Sequence, residues 1–170
     1  MDMKVPICDE CLDGDDVLCE ECQKEMEEKN VSEIAVKVSR FLYSLRGQIP
    51  SLNDVEVKKI EQATDAIIVV TAAGDGPRVV GKNGEVVKQL AQEFESSIRV
   101  VEDSGKSEDV IKNLLEPVEV ESINTVYKPE GTERKVVVSK DNERRVPIST
   151  DDFKKIVEDL TGEKFSLSFE

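Results

Sequence analysis

The spacing of apolar residues along the chain switches repeatedly between helical and alternating periods, and each switch marks an element. Ile34, Val38, Leu42 and Leu45 recur at helical spacing, with Ser32 placed to cap the start and Gly47 to end it. Before it, the stretch from Glu20 reads as helix with a break at residues 30–32. Strands are expected over residues 55–61 and 66–71, joined at Ala63-Thr64-Asp65. Ile67-Ile68-Val69-Val70 carries no polar break and is expected to be buried on both faces. A turn over residues 72–77 and a short helix lead to a second helix, whose apolar positions are Val86, Val87, Leu90, Ala91 and Phe94. A strand at 98–101 closes the set.

The same order returns after Asp103-Ser104-Gly105-Lys106. A helix over 108–116 stops at Pro117, strands at 118–127 and 135–139 flank the turn Pro129-Glu130-Gly131, and a helix over 152–160 ends at Gly162. The last strand, 164–169, alternates Phe165, Leu167 and Phe169. Helix, strand, strand, helix, strand thus occurs twice. The pattern predicts an α+β chain with an internal repeat, divided into a module at 1–30 and units at 31–106 and 107–170.

All four cysteines fall in the first module, as Cys8-Asp9-Glu10-Cys11 and Cys19-Glu20-Glu21-Cys22. Each Cys-x-x-Cys knuckle can put two thiolates on one side of a turn, and two such turns close a tetrahedral zinc site. The spacer of seven residues, which includes Gly14, is long enough for a tight hairpin, and the chain has no histidine to compete as a ligand. An iron-sulfur centre, a pair of disulfides and a redox dithiol are the alternatives. A chain without a secretory leader disfavours stable disulfides. Asp9, Glu10, Glu20 and Glu21 are expected to raise the thiol pKa values, which favours a structural site over a reactive one. The expectation is one zinc per chain on Cys8, Cys11, Cys19 and Cys22.

Gly81-Lys82-Asn83-Gly84 lies between the short helix and the amphipathic one. Glycines here let the backbone turn tightly and let a phosphate come close to the amides that open the next helix. Lys82 adds a cation and Asn83 a hydrogen-bonding amide. Two glycines three apart are a weak signal in a chain with nine glycines, and an ordinary helix-turn-helix connection is the rival reading. The surrounding order of elements favours the phosphate-binding one.

A net charge of −14 argues against broad polyanion binding, but the charge is unevenly spread. Residues 1–30 hold 11 acidic and 3 basic side chains, residues 31–106 hold 11 and 10, and residues 107–170 hold 15 and 10. The middle segment is near neutral, so Arg78, Lys82, Lys88 and Arg99 are expected to form a local positive patch for site-limited binding. No apolar run approaches the roughly 18 residues that span a bilayer, and a soluble cytoplasmic protein is expected. Without histidine, a Gly-x-x-x-x-Gly-Lys loop or a recognisable carboxylate pair, an enzyme is not expected.

With these residues in view, the segment from Val55 to Val101 resembles a type II KH domain, a fold that clamps about four nucleotides of single-stranded nucleic acid through its Gly-x-x-Gly loop. Residues 31–170 resemble the tandem KH region of NusA-type transcription factors, on the Gly-x-x-Gly loop, the Ile111 to Val120 link through Pro117 and the Leu160-Thr161-Gly162 helix ending. With the cysteines in front, the chain is similar to archaeal NusA-like proteins with an N-terminal zinc motif. The resemblance implies a zinc knuckle or ribbon followed by two type II KH-like units. It places Ile148-Ser149-Thr150-Asp151 where the second unit's Gly-x-x-Gly would stand, so that unit is not expected to grip phosphate. The implied role is non-enzymatic binding of single-stranded RNA in transcription elongation and termination or in translation, with RNA polymerase or the ribosome as partner. An adaptor between proteins, with both KH folds serving as scaffolds, is the alternative.

Overall fold

In the computed structural model, residues 3–13, 17–28, 31–64 and 66–170 are described. Gly14, Asn30 and Asp65, which figured in the expected spacer, helix break and strand connection, lie outside them. The chain divides into two compact units, one of Met1–Gln62 with Ala66–Asp103, the other of Ala63–Asp65 with Ser104–Glu170.

The first unit opens with α1 (Asp9–Asp13) and α2 (Glu20–Glu27), which carry the cysteines. Helix α3 (Glu33–Leu45) starts at Ser32, whose side chain accepts the Ala35 N–H at 3.2 Å. It buries Ala35, Val36, Val38, Ser39, Leu42 and Leu45, a wider face than the apolar spacing alone marks. The loop expected after it contains a 3-10 turn at Pro50–Leu52. Strands β1 (Val57–Gln62) and β2 (Ala66–Ala72) pair antiparallel, and β3 (Ser97–Asp103) joins β2 in parallel register, Ile67 beside Ile98 and Val69 beside Val100. As the unbroken apolar run predicts, Ala66 to Thr71 are buried at every position. Residues 55–56, expected in the first strand, precede it: the Val55 carbonyl accepts the Lys4 N–H at 2.9 Å, and the Val57 N–H donates back to the Lys4 carbonyl at 2.7 Å.

Between β2 and β3 come α4 (Gly76–Val80) and α5 (Glu85–Phe94). Val79, Val86 and Leu90 join Val38, Leu42, Ile67 and Val69 in one core, and the same core holds Met3, Ile7, Cys11, Leu12 and Cys22. The cysteine segment, which the residue pattern sets apart at 1–30, therefore buries its apolar side chains with α3 and the first sheet.

The second unit consists of α6 (Ser107–Leu115), β4 (Val120–Lys128), β5 (Gly131–Val138), a 3-10 segment at Lys140–Arg145, α7 (Thr150–Thr161) and β6 (Phe165–Phe169). Its sheet order is β4-β5-β6, antiparallel then parallel, the same as in the first unit. Strand β5 begins four residues before the expected 135, because Lys128 pairs with Gly131 across the turn and Glu133 accepts an ion pair from Lys128. Polar cross-strand pairs extend a hairpin without leaving an apolar trace in the sequence. The Lys128 amine holds the Glu133 carboxyl below its ordinary range. Phe153, fully buried one turn before Ile156 and Val157, is among the largest side chains in this unit's interior. Burying such a side chain is worth roughly 1.5–3 kcal/mol.

Candidate nucleic-acid interface and metal centre

The junction of α4 and α5 is built from both its ends. At the start of α4, the Gly76 N–H donates to Glu102 Oε1 at 3.0 Å, and a Cβ on residue 76 would stand 2.6 Å from that oxygen. A carboxylate from β3 thus already occupies the positive end of α4. At its other end Gly81 takes φ 82 and ψ 170, a conformation essentially restricted to glycine. The chain then makes a 3-10 turn through Lys82–Gly84, with the Gly84 N–H on the Gly81 carbonyl at 3.1 Å.

The two glycines have different duties. A Cβ on Gly81 would lie 2.8 Å from Val86 Cγ2 and 3.2 Å from the Val86 backbone nitrogen, so Gly81 lets the turn close onto α5. Gly84 has no atom within 4 Å of an added Cβ and is required only by its left-handed φ of 73. Asn83, read from the sequence as a hydrogen-bonding tip, also takes a left-handed φ of 57, which asparagine tolerates better than most residues.

Helix α5 starts at Gly84 with no side chain bonded to its first amides. The Glu85 N–H is already donated to the Lys82 carbonyl, and the partial positive charge of the amides that follow is what an anion can satisfy. Lys82, Asn83 and Lys88 are exposed around them, and among the described residues no acid pairs with either lysine. The structure therefore brings together Gly81, Lys82, Asn83, Gly84 and Lys88. Arg78, on α4, is charge-matched: its guanidinium lies 3.8 Å from Asp54 Oδ2 and 3.6 Å from Asp75 Oδ1. Arg99 alternates with Ile98 and Val100, which pack against the core that holds α3 and α5, so its side chain leaves the sheet on the other face. Glu85 and Glu102 were not singled out by sequence; Glu85's place as the first residue of α5 was a signal available there.

The corresponding junction of the second unit is closed. Ser149 caps α7, its Oγ accepting the Asp152 N–H at 3.1 Å, and Asp151 and Asp152 fill the first turn. Where α5 has no side-chain cap, the Asp152 N–H of α7 meets the Ser149 hydroxyl.

The four cysteines, all free thiols, converge: their Sγ atoms lie within 4.8 Å of one another, with Cys8 at 3.5 Å from Cys11 and 3.7 Å from both Cys19 and Cys22. A tetrahedron of thiolates at a zinc–sulfur distance of about 2.3 Å has edges of about 3.8 Å, so the donor set fits a four-coordinate zinc. Backbone amides support it, the Cys19 N–H donating to Cys11 Sγ at 3.2 Å and the Cys22 N–H to Cys19 Sγ at 3.5 Å. Burial pushes the Cys22 thiol up to about 12 and raises that of Cys11, whereas the Cys22 N–H lowers that of Cys19. The acids between the cysteines are not the leading cause; loss of water is. A bound cation would compensate that loss, because coordinating thiols give up their protons.

Comparison with known proteins agrees with this geometry. The sequence matches the KH domain family over residues 43–131, from within α3 to the β4–β5 turn. The chain belongs to the KH-domain family, and the KH domain makes it a nucleic-acid-binding protein of the RNA-binding kind. Comparison with curated proteins finds no match. Among solved structures, one described as the crystal structure of APE1850 has a similar fold, with a TM-score of 0.54 and 21% identity over 76% of this chain and 96% of that one. No helix among the described residues is long and apolar enough to cross a membrane.

Proposed function

We propose that this KH protein binds single-stranded RNA through the α4–α5 junction and serves, as a NusA-like factor, in transcription elongation and termination or in translation. The observation that carries the reading is the contrast between the two helix starts: α5 is uncapped and flanked by Gly84, Lys82 and Lys88, while α7 is capped by Ser149. A phosphate at α5 would accept from the first-turn amides, with Lys82 and Lys88 neutralising its neighbours. Gly84 would let the RNA backbone approach, and Asn83 would offer its amide at the tip. Arg78 contributes little until an Asp partner releases it, and Arg99 lies off this surface.

In this reading the second unit is a KH-like scaffold that keeps the fold and has given up phosphate contact. The NusA-like assignment is supported by the repeated order of elements in residues 107–170 and by the four-cysteine segment that opens the first unit. Cys8, Cys11, Cys19 and Cys22 would hold one zinc, which supplies a rigid cross-link between α1 and α2 and no reaction chemistry. RNA polymerase or the ribosome is the machinery such a factor would serve.

The test is the pair Lys82→Asp with Asn83→Asp, both exposed and therefore cheap to the fold. Binding of a labelled single-stranded RNA should be lost while the melting temperature holds, and the wild-type protein should weaken linearly on a log scale as salt rises. Unchanged affinity in the double variant would exclude the junction as the binding site, leaving an adaptor role as the better account of the acidic surface.

A further inference from the structure

We infer that Glu85 is a built-in competitor for the phosphate at the α4–α5 junction, holding RNA affinity below what the helix end and its lysines would otherwise give. The inference rests on the reading of that junction as the RNA site. Glu85 is the first residue of α5 and is exposed. Its stem folds back over the loop: Glu85 Cγ lies 2.9 Å from where a Cβ on Gly81 would stand. Among the described residues its carboxylate has no hydrogen bond and no ion pair, although Lys82 and Lys88 lie three residues to either side.

A carboxylate in the first turn is favoured by the same partial positive charge that attracts a phosphate. The two anions therefore draw on one local field, and bringing them together costs Coulomb energy. For unit charges several ångströms apart at a solvated surface, the expected penalty is about three- to tenfold in Kd. The helix benefits from Glu85 when RNA is absent, so affinity and stability should respond to its charge in opposite directions.

The experiment uses the full chain and a fluorescein-labelled single-stranded oligoribonucleotide, with anisotropy read across a salt series. Glu85→Gln keeps shape and removes charge. It should tighten binding about three- to tenfold at low salt, with the gain shrinking as salt is added, and should lower the melting temperature slightly. Glu93→Gln makes the same charge change eight residues along α5, about 12 Å away, which is beyond the Debye length of about 8 Å at 0.15 M salt, and should leave Kd unchanged at that salt. Equal tightening by both variants would overturn the inference in favour of overall charge. If Lys82→Asp with Asn83→Asp abolishes binding but Glu85→Gln leaves Kd at the wild-type value, the competitor role fails and the junction reading stands. RNA binding insensitive to the loop pair overturns both.

Discussion

Arg40 Nε donates to the carbonyl oxygen of Cys11 at 3.1 Å, tying the middle of α3 to the last turn of the first cysteine knuckle. The next residue, Phe41, meets Phe94 of α5 edge to face at 5.8 Å between ring centroids. One helix thus touches the cysteine centre on one side and α5 on the other. Since Cys11 and Cys22 lie in the same core as Val38 and Leu42, removing metal should loosen the first unit as a whole and not residues 3–28 alone. Chelation should lower its stability by about 4 kcal/mol relative to protein held in zinc at a thousandfold over Kd. Hydrogen exchange checks this: α3 amides that keep full protection after chelation would refute the shared core.

Metal binding should also depend steeply on pH. Burial holds the Cys22 thiol up near 12 and raises Cys11, so both are protonated at neutral pH without metal. Each must lose its proton to ligate. At least two protons per zinc should be released at pH 7, seen by calorimetry in buffers of different ionisation enthalpy. The apparent affinity should fall by at least about 100-fold for each unit of pH lowered in that range. Release of less than one proton would mean the thiols are already ionised by something other than the metal.

Gly81→Ala and Gly84→Ala should separate closure of the loop from access to it. At Gly81 an alanine meets both a glycine-only backbone conformation and the Val86 backbone nitrogen at 3.2 Å, so a loss of about 2–3 kcal/mol is expected. Gly84→Ala has free space and carries only the left-handed backbone cost, about 1 kcal/mol. If RNA binds as proposed, its Cβ would stand where the RNA backbone approaches, so affinity should fall more than stability does. Equal thermal losses in the two variants, by calorimetric melting, would show that packing at Gly81 is not decisive.

Ser149→Ala should destabilise the second unit and leave RNA binding alone. The hydroxyl supplies an N-cap bond to Asp152 at 3.1 Å, worth about 1 kcal/mol. Asp151→Lys, in the same first turn, should change RNA affinity by less than about 1 kcal/mol. A large gain from the lysine, read by the same anisotropy assay, would put RNA across the second junction.

Much of this architecture was legible from residue order, because local forces decide it. Ser32 and Gly47 bracket α3, the Val86, Leu90 and Phe94 spacing marks α5, and Ile67 to Val70 announces a strand with no wet face. Gly81 and Gly84 stand out because a turn with positive φ must be built from residues that can adopt it. The paired spacing of the cysteines says that they can meet, since each knuckle closes over three residues.

What the tertiary structure decided are the relations between distant side chains. Arg78 looks like a free cation in the sequence, and Asp54, twenty-four residues earlier, takes up its charge once the two segments meet. Arg99 is close to the glycine loop in the chain, and the two-residue period of β3 turns it to the opposite side of the sheet. Glu102 closes the start of α4 from the end of a parallel strand, which leaves α5 as the open helix end. The cysteine segment reads as a separate module because it is short and acidic, yet Met3, Ile7 and Leu12 lie in one core with α3 and the first sheet. Periodicity along the chain determines which residues share a face; which charge is neutralised, and which helix end stays open, depends on what another part of the chain brings to it.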